Sequence, residues 1–156
     1  DILRIYTPYI TGTAITFDAI DQNGAYLGGA IFPGIKVAME ALFMKASKLP
    51  RVDIAATECA IGRTTVQSMQ SGAVRGYVGA LTGIIEDMKK ELEGDVPVIA
   101  TGGMGRMMAE HCPLIDEVDS NLTLDGLRMI YEQNRALFRE KCVCHEDSIL
   151  EATEES

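Results

Sequence analysis

The segment from Gly12 to Gly34 constrains the fold more than any other part of this chain. It reads Gly12-Thr13-Ala14-Ile15-Thr16-Phe17-Asp18, turns at Asn23-Gly24, and leaves through Gly28-Gly29-Ala30-Ile31-Phe32-Pro33-Gly34. Asn-Gly supplies the positive φ angles that a tight hairpin turn demands, so two antiparallel strands are expected around it. Ile15, Phe17 and Ala19 share one face of the first strand, with Thr16 and Asp18 on the other. The returning strand is expected over Ala25 to Ile31. Pro33-Gly34 then opens a helix, with Pro33 in a first turn where its missing N–H costs nothing. The glycine-threonine turn and the glycine-rich strand exit lie side by side. They form either a cradle in which backbone N–H groups approach a phosphate or an ordinary hairpin followed by a helix N-terminus.

A length of 156 residues with 47% apolar side chains gives one domain enough material for a core. No apolar run approaches the roughly 20 residues of a membrane helix. Residues 1–11 have neither the basic start nor the apolar core of a leader. The net charge of −9 opposes nucleic acid and anionic lipid as partners. Part of that charge is local: beyond residue 138, two basic residues (Arg139, Lys141) face six acidic ones, as expected of a solvated tail. The four cysteines, Cys59, Cys112, Cys142 and Cys144, read as free thiols of a reducing, cytoplasmic compartment. Cys142, Cys144 and His145 lack the spacing of a zinc site.

Further along, Val37, Met39, Ala41, Leu42, Phe43 and Ala46 give the first helix a broad apolar face, ending near Leu49-Pro50. A long connection over 50–63 leads to Thr64 or Thr65 as N-cap of the longest helix, about Val66 to Glu93. Its apolar period runs through Met69, Ala73, Tyr77, Leu81, Ile84, Met88 and Leu92. Gly72, Gly76, Gly79 and Gly83 repeat at the same spacing. Each costs a helix about 1 kcal/mol against alanine. Something must approach that face closely, either the chain's own sheet or a second helix across a dimer. Val96 to Ala100 reads as a buried strand running into Thr101-Gly102-Gly103, with a helix from Met104 to His111 and a short strand from Leu114 to Val118. A last helix spans Leu122 to Phe138, capped by Asn121 or Thr123, with Leu124, Leu127, Ile130, Tyr131 and Leu137 inward. The class is α/β with a mixed sheet flanked by helices. The chain divides into an atypical segment 1–11, a domain over 12–138 and an acidic tail 139–156.

Several segments in register resemble type III pantothenate kinase. They are Gly12 to Asp18, Gly28 to Gly34, Ile61-Gly62-Arg63-Thr64-Thr65 with Gln70-Ser71-Gly72, Ala100-Thr101-Gly102-Gly103, and the closing Leu122-Thr123-Leu124-Asp125-Gly126-Leu127. The resemblance implies a ribonuclease-H-like fold of the actin-like ATPase and sugar-kinase superfamily. It implies transfer of the ATP γ-phosphate to pantothenate in coenzyme A biosynthesis, with Mg²⁺ and a monovalent cation, K⁺ or NH₄⁺. By the same resemblance Gly12 and Thr13 contact the ATP phosphates, adenosine packs at Gly102 and Gly103, and Thr65 contacts pantothenate. The helix bearing Gly72, Gly76, Gly79 and Gly83 forms a homodimer.

Two patterns of that family are missing from these residues: the Asp-x-Gly-Asn-Thr phosphate loop and the Gly-x-Asp-Arg segment that supplies the catalytic base. Ile10 stands where the family places an aspartate on the monovalent cation, and an apolar side chain cannot ligate a hard ion. The expectation is the C-terminal half of the enzyme, with little or no activity alone. The alternatives are a non-catalytic dimerisation or nucleotide-binding module, or another sugar-kinase-like or regulatory ATPase domain. Arg63 reads either as a partner for phosphate or carboxylate or as a solvated loop residue. Asp18 and Asp125 read as structural carboxylates, and His111 and His145 have no acid–base partner in the pattern.

Overall fold

A computed structural model of the protein describes residues 2–7, 13–92 and 95–135. Five strands form one sheet: β1 (Ile2–Thr7), β2 (Ala14–Ile20), β3 (Tyr26–Pro33), β4 (Val98–Gly102) and β5 (Glu117–Val118), in the order β3-β2-β1-β4-β5. β2 runs antiparallel to β1 and β3, while β1, β4 and β5 are parallel. The intervening helices are α1 (Ile35–Lys45), α2 (Thr65–Glu91) and α3 (Gly105–Ala109). These elements lie within one compact unit, Asp1–Ser120. A second unit, from Asn121 onward, contains α4 (Leu122–Gln133).

The hairpin forms as its residues dictate. Asp21 closes it, its carboxylate accepting from the N–H groups of Asn23 and Ala25, each at 2.8 Å. These bonds, that from Ala25 first, hold the Asp21 carboxyl below the usual carboxylate range. Ile15, Phe17 and Ala19 are buried as one face of β2. Ile15 and Phe17 pack with Leu81 and Ile85 of α2, Val98 and Ala100 of β4, Met108 of α3 and Cys112 just after it, in a continuous core. Fully burying side chains of the size of Phe17, Leu81 and Ile85 is worth about 1.5–3 kcal/mol each. On α2, Met69, Ala73, Val74, Leu81 and Ile85 point inward.

Several elements differ from the sequence expectation. Residues 2–7 do not stand apart from the domain: β1 occupies the middle of the sheet, hydrogen-bonded to β2 and β4. Pro8 lies outside the described residues. Pro33 ends β3 opposite Ala14 and is not in the helix, whose N-cap is Gly34. Along α1 only Ile35 is buried, and Val37 and Leu42 are exposed. β4 begins two residues later than the apolar run because Val96 is already buried ahead of the ladder. α3 and β5 are shorter than expected. In α4, Leu124, Leu127, Ile130 and Tyr131, expected inward, are exposed. The period marks a helix face without saying what covers it. Leu137, Phe138 and the tail lie outside the described residues.

Candidate functional site

The residues named for phosphate and adenosine belong to one end of the sheet. β1 and β4 run parallel, and their last paired residues, Thr7 and Gly102, are partners. β2 starts from that same end, since Tyr6 pairs with Thr16 and the strand extends two residues further to Ala14. Thr13 immediately precedes it, and its carbonyl accepts from Gly34 N–H at 2.9 Å. The start of β2 is thereby tied to the start of α1. The first-turn N–H groups of a helix have no partners within it, and Gly34 supplies no side-chain cap to α1. No acidic residue occupies that first turn, and Lys36 lies within it. Such a helix start favours an anion.

On the other side of β1, Gly102 has φ +89°, a conformation L side chains rarely adopt. The backbone therefore leaves β4 sharply through Gly102 and Gly103 into α3, with Thr101 buried beneath the turn. Thr13 and Gly102 are separated by two strand spacings, about 10 Å. Gly12 and Ile10 lie outside the described residues. Beside Gly102 and Gly103 a cavity of about 450 Å³ opens between α1, residues 51–54 and α3. Met39, Val52, Ile54, Met104 and Met107 form its apolar lining, and Lys36, Glu40, Arg51 and Asp53 its charged lining. Arg51 lies over the Phe43 ring at 5.0 Å and 3.7 Å from Glu40. The sequence reading missed this cavity. Its signal was present in Met104 and Met107, directly after the glycine pair.

Thr65 is not brought to that end. It opens α2 and lines an apolar groove of about 550 Å³ with Ala38, Leu42, Leu49 and Met69. The other end of the contact between α1 and α2 is fixed by Tyr77, whose hydroxyl donates to Pro33 O at 3.0 Å and whose ring meets Phe32 edge-on at 5.3 Å. Burial raises the Tyr77 phenol above its ordinary pKa. Tyr77 is twelve residues along α2 from Thr65, or about 18 Å at helical rise. Thr65 and the residue bonded to Pro33 are thus at different levels of α2.

Thr64 caps α2 as expected, its hydroxyl accepting from Gln67 N–H at 3.2 Å. Gln67 returns the favour by accepting from Arg63 N–H at 3.0 Å. The guanidinium of Arg63 has no ion-pair partner among the described residues. It lines a cavity of about 390 Å³ with Glu58, Cys59, Gln67 and Gln70.

Residues 46–64 carry no helix or strand, yet side chains of α2 hold them. Ser68 donates to Gly62 O at 3.3 Å, and Ser71 to Ala60 O at 2.6 Å. Arg75 donates to Thr57 O and Glu58 O at 3.0 and 3.3 Å, and Gln70 to Asp53 O at 3.0 Å. Ser68, Ser71 and Arg75 follow i, i+3, i+7 spacing, a polar stripe that the sequence reading passed over.

The glycine-striped face has a different outcome. Gly72, Gly76, Gly79 and Gly83 are exposed, and a Cβ at any of them would meet nothing within 4 Å. Packing of these glycines on the chain's own sheet is ruled out, because the sheet side of α2 is a different face. Asp18 accepts from the Thr16 hydroxyl at 3.2 Å, and Asp125 pairs with Arg128 at 3.3 Å, both structural roles. Among the described residues no group of three or more His, Cys, Asp or Glu could hold a metal ion. Cys59 is exposed and Cys112 buried, both as free thiols. Cys142, Cys144 and His145 lie outside the described residues. No helix among the described residues is long and apolar enough to cross a membrane.

A Baf family protein of known structure from Campylobacter jejuni superposes with a TM-score of 0.59 at 22% identity, covering 87% of this chain and 59% of that one. That likeness concerns the fold. In sequence, type III pantothenate kinases from Citrifermentans bemidjiense and Myxococcus xanthus are each 54% identical to 80% of this chain. One from an Exiguobacterium species is 51% identical over the same share. The chain spans about half the length of these curated relatives, 48–49%. The family model for type III pantothenate kinase matches residues 10–87, from the loop before β2 into the last turns of α2. The chain belongs to the type III pantothenate kinase family.

Proposed function

We propose that this chain is the part of an ATP-dependent pantothenate kinase that binds the nucleotide and forms the dimer, acting in coenzyme A biosynthesis in the cytoplasm. The observation that carries the reading is the meeting of Thr13, the uncapped start of α1 and the Gly102-Gly103 turn at one end of the sheet. Phosphoryl transfer asks a protein chiefly for positioning and charge stabilisation. Gly12, Thr13 and the N–H groups of the first α1 turn would hold the phosphates of MgATP. Gly102 and Gly103 would let adenosine pass close to the backbone into the cavity lined by Met39, Met104 and Met107. The strand order, with β2 the antiparallel member, supports assignment to the ribonuclease-H-like superfamily of actin-like ATPases and sugar kinases.

Thr65 is the proposed contact to pantothenate. Its place in a groove other than the cavity beside Gly102 and Gly103 supports a site completed by residues other than those of a single copy of this chain. The exposed glycine face supports a homodimer through α2, since an open helix surface without side chains admits another backbone closely. Ile10 does not fit a K⁺ or NH₄⁺ ion, so no step is drawn through a monovalent cation. In domain terms, residues 2–7 join the kinase domain proposed over 12–138, and 139–156 remain a proposed acidic tail.

The test is release of ADP by this chain, with MgATP and K⁺, with and without pantothenate, alongside equilibrium binding of ATP. The expected result is ATP binding without pantothenate-dependent turnover, because these residues hold no Gly-x-Asp-Arg base. Replacing Gly103, which has no positive φ, by valine should abolish ATP binding while circular dichroism stays unchanged. Absence of ATP binding by the folded chain would overturn the nucleotide reading, and turnover would overturn the assignment of the base elsewhere.

A further inference from the structure

A cavity of about 400 Å³ between α2, residues 56–57 and His111 takes no part in the nucleotide reading, though Gly79 of the glycine face lines one side of it. Ala56, Val74 and Val78 form its apolar walls, and Thr57, Arg75 and His111 supply its polar groups. That mixture, apolar walls with a few polar groups, is the usual make-up of a small-molecule site. Its charge is unusual for this chain. The net charge is −9, yet no carboxylate lines this cavity. By contrast Glu40 and Asp53 line the cavity beside α1, and Glu58 the one beside Arg63.

The guanidinium is also fixed in place. Arg75 Nη2 donates to Thr57 O at 3.0 Å and Glu58 O at 3.3 Å. Nε and Nη1 keep donors without a partner among the described residues. The Thr57 hydroxyl already donates to Cys59 O at 2.9 Å, so it offers a ligand only lone pairs. The donors available to a ligand are therefore those of Arg75 and the imidazole of His111, set against branched aliphatic walls.

We infer that this cavity binds a small branched-chain carboxylate, its head on Arg75 and His111 and its methyl groups against Val74 and Val78. A carboxylate suits the guanidinium because the bonds are charge-assisted. A phosphate or other fully polar anion would leave the aliphatic walls facing a hydrated group. The cavity shares no lining residue with the one beside the nucleotide end, so its test does not depend on the nucleotide reading; Gly79 borders the proposed dimer face, and binding is measured together with the sedimentation state of the chain.

The probe is 3-methylbutanoate, added to the whole chain and followed by calorimetry and by the ring protons of His111 in NMR, assigned by their loss in His111→Gln. The expected result is saturable binding with a Kd on the order of 1 mM and a matching shift of the His111 signals. The uncharged isostere 3-methylbutanamide should bind at least about tenfold more weakly, the signature of a charge-assisted head contact. Val78→Phe, which fills the cavity, and Arg75→Gln should each abolish binding. His111→Gln leaves the contacts of residues 46–64 with α2 in place. It should weaken binding about tenfold by calorimetry, which keeps the test decisive if Val78→Phe does not fold. Three results would each overturn the assignment: equal binding of the amide, unchanged binding in His111→Gln, or no saturable binding by the folded wild-type chain.

Discussion

At the scale of single residues, Gly62, Ser71 and Asp21 make separable predictions. A Cβ at Gly62 would overlap the backbone of Gln67 and Ser68, neither of which can turn aside like a side-chain tip. Gly62→Ala should therefore cost about 1–3 kcal/mol, an overpacking penalty, measured as a lower urea midpoint. Ser71 is 3% exposed and donates to Ala60 O at 2.6 Å. Ser71→Ala should cost about 1–3 kcal/mol, because it leaves a carbonyl without its partner. Asp21 makes the pH prediction. Its folded-state pKa is lowered by the N–H groups it accepts from, so its contribution is present above the unfolded-state value and is lost as pH falls through the folded one. Between about pH 5 and pH 2, wild type should lose more urea stability than Asp21→Asn. Of these residues, only the turn around Asp21 was legible in the sequence, through Asn23-Gly24. Gly62 and Ser71 take their roles from a contact between α2 and a segment without periodicity, and periodicity is what a single sequence displays.

Among the elements, α2 carries three faces on one cylinder, and the sequence showed two of them. The apolar period located the core side, although burial falls on Val74 and Ile85 as much as on the residues counted. The glycine period was visible too, but its two readings could be separated only by knowing what each glycine faces. The polar face of Ser68, Ser71 and Arg75 was lost among ordinary surface residues. The open glycine face gives a prediction of opposite signs. Gly76→Ala should stabilise α2 by up to about 1 kcal/mol, because alanine is the better helix former and its Cβ meets nothing in its own chain. Gly76→Leu should shift sedimentation from dimer to monomer with an unchanged helical signal. A wild-type chain that sediments as a monomer at high concentration would contradict the dimer reading. Strand positions were the most legible elements. β2 and β3 follow from one turn and one alternation, whereas β1 was harder to place because Pro8 interrupts its apolar residues in sequence and its parallel neighbour β4 is distant in the chain.

For the whole molecule, the arrangement depends on convergence at one sheet end of segments that begin and end far apart in the chain. The family motifs marked Thr13 and Gly102 individually, and the parallel pairing of Thr7 with Gly102 explains why they lie at one end of the sheet. The same motifs marked Thr65 but not its groove, which only the packing of α1 on α2 reveals. Residues 46–64 hold the other consequence. The segment is anchored through its oxygens: the carbonyls of Asp53, Thr57, Glu58, Ala60 and Gly62 are all acceptors. Among the described residues, no bond is donated by a backbone N–H from Val52 to Gly62. Amide hydrogen exchange reads the nitrogens alone. These residues should therefore exchange with deuterium almost as fast as a free peptide while holding a single conformation. Fast exchange there would be a record of which atoms face water, not of motion.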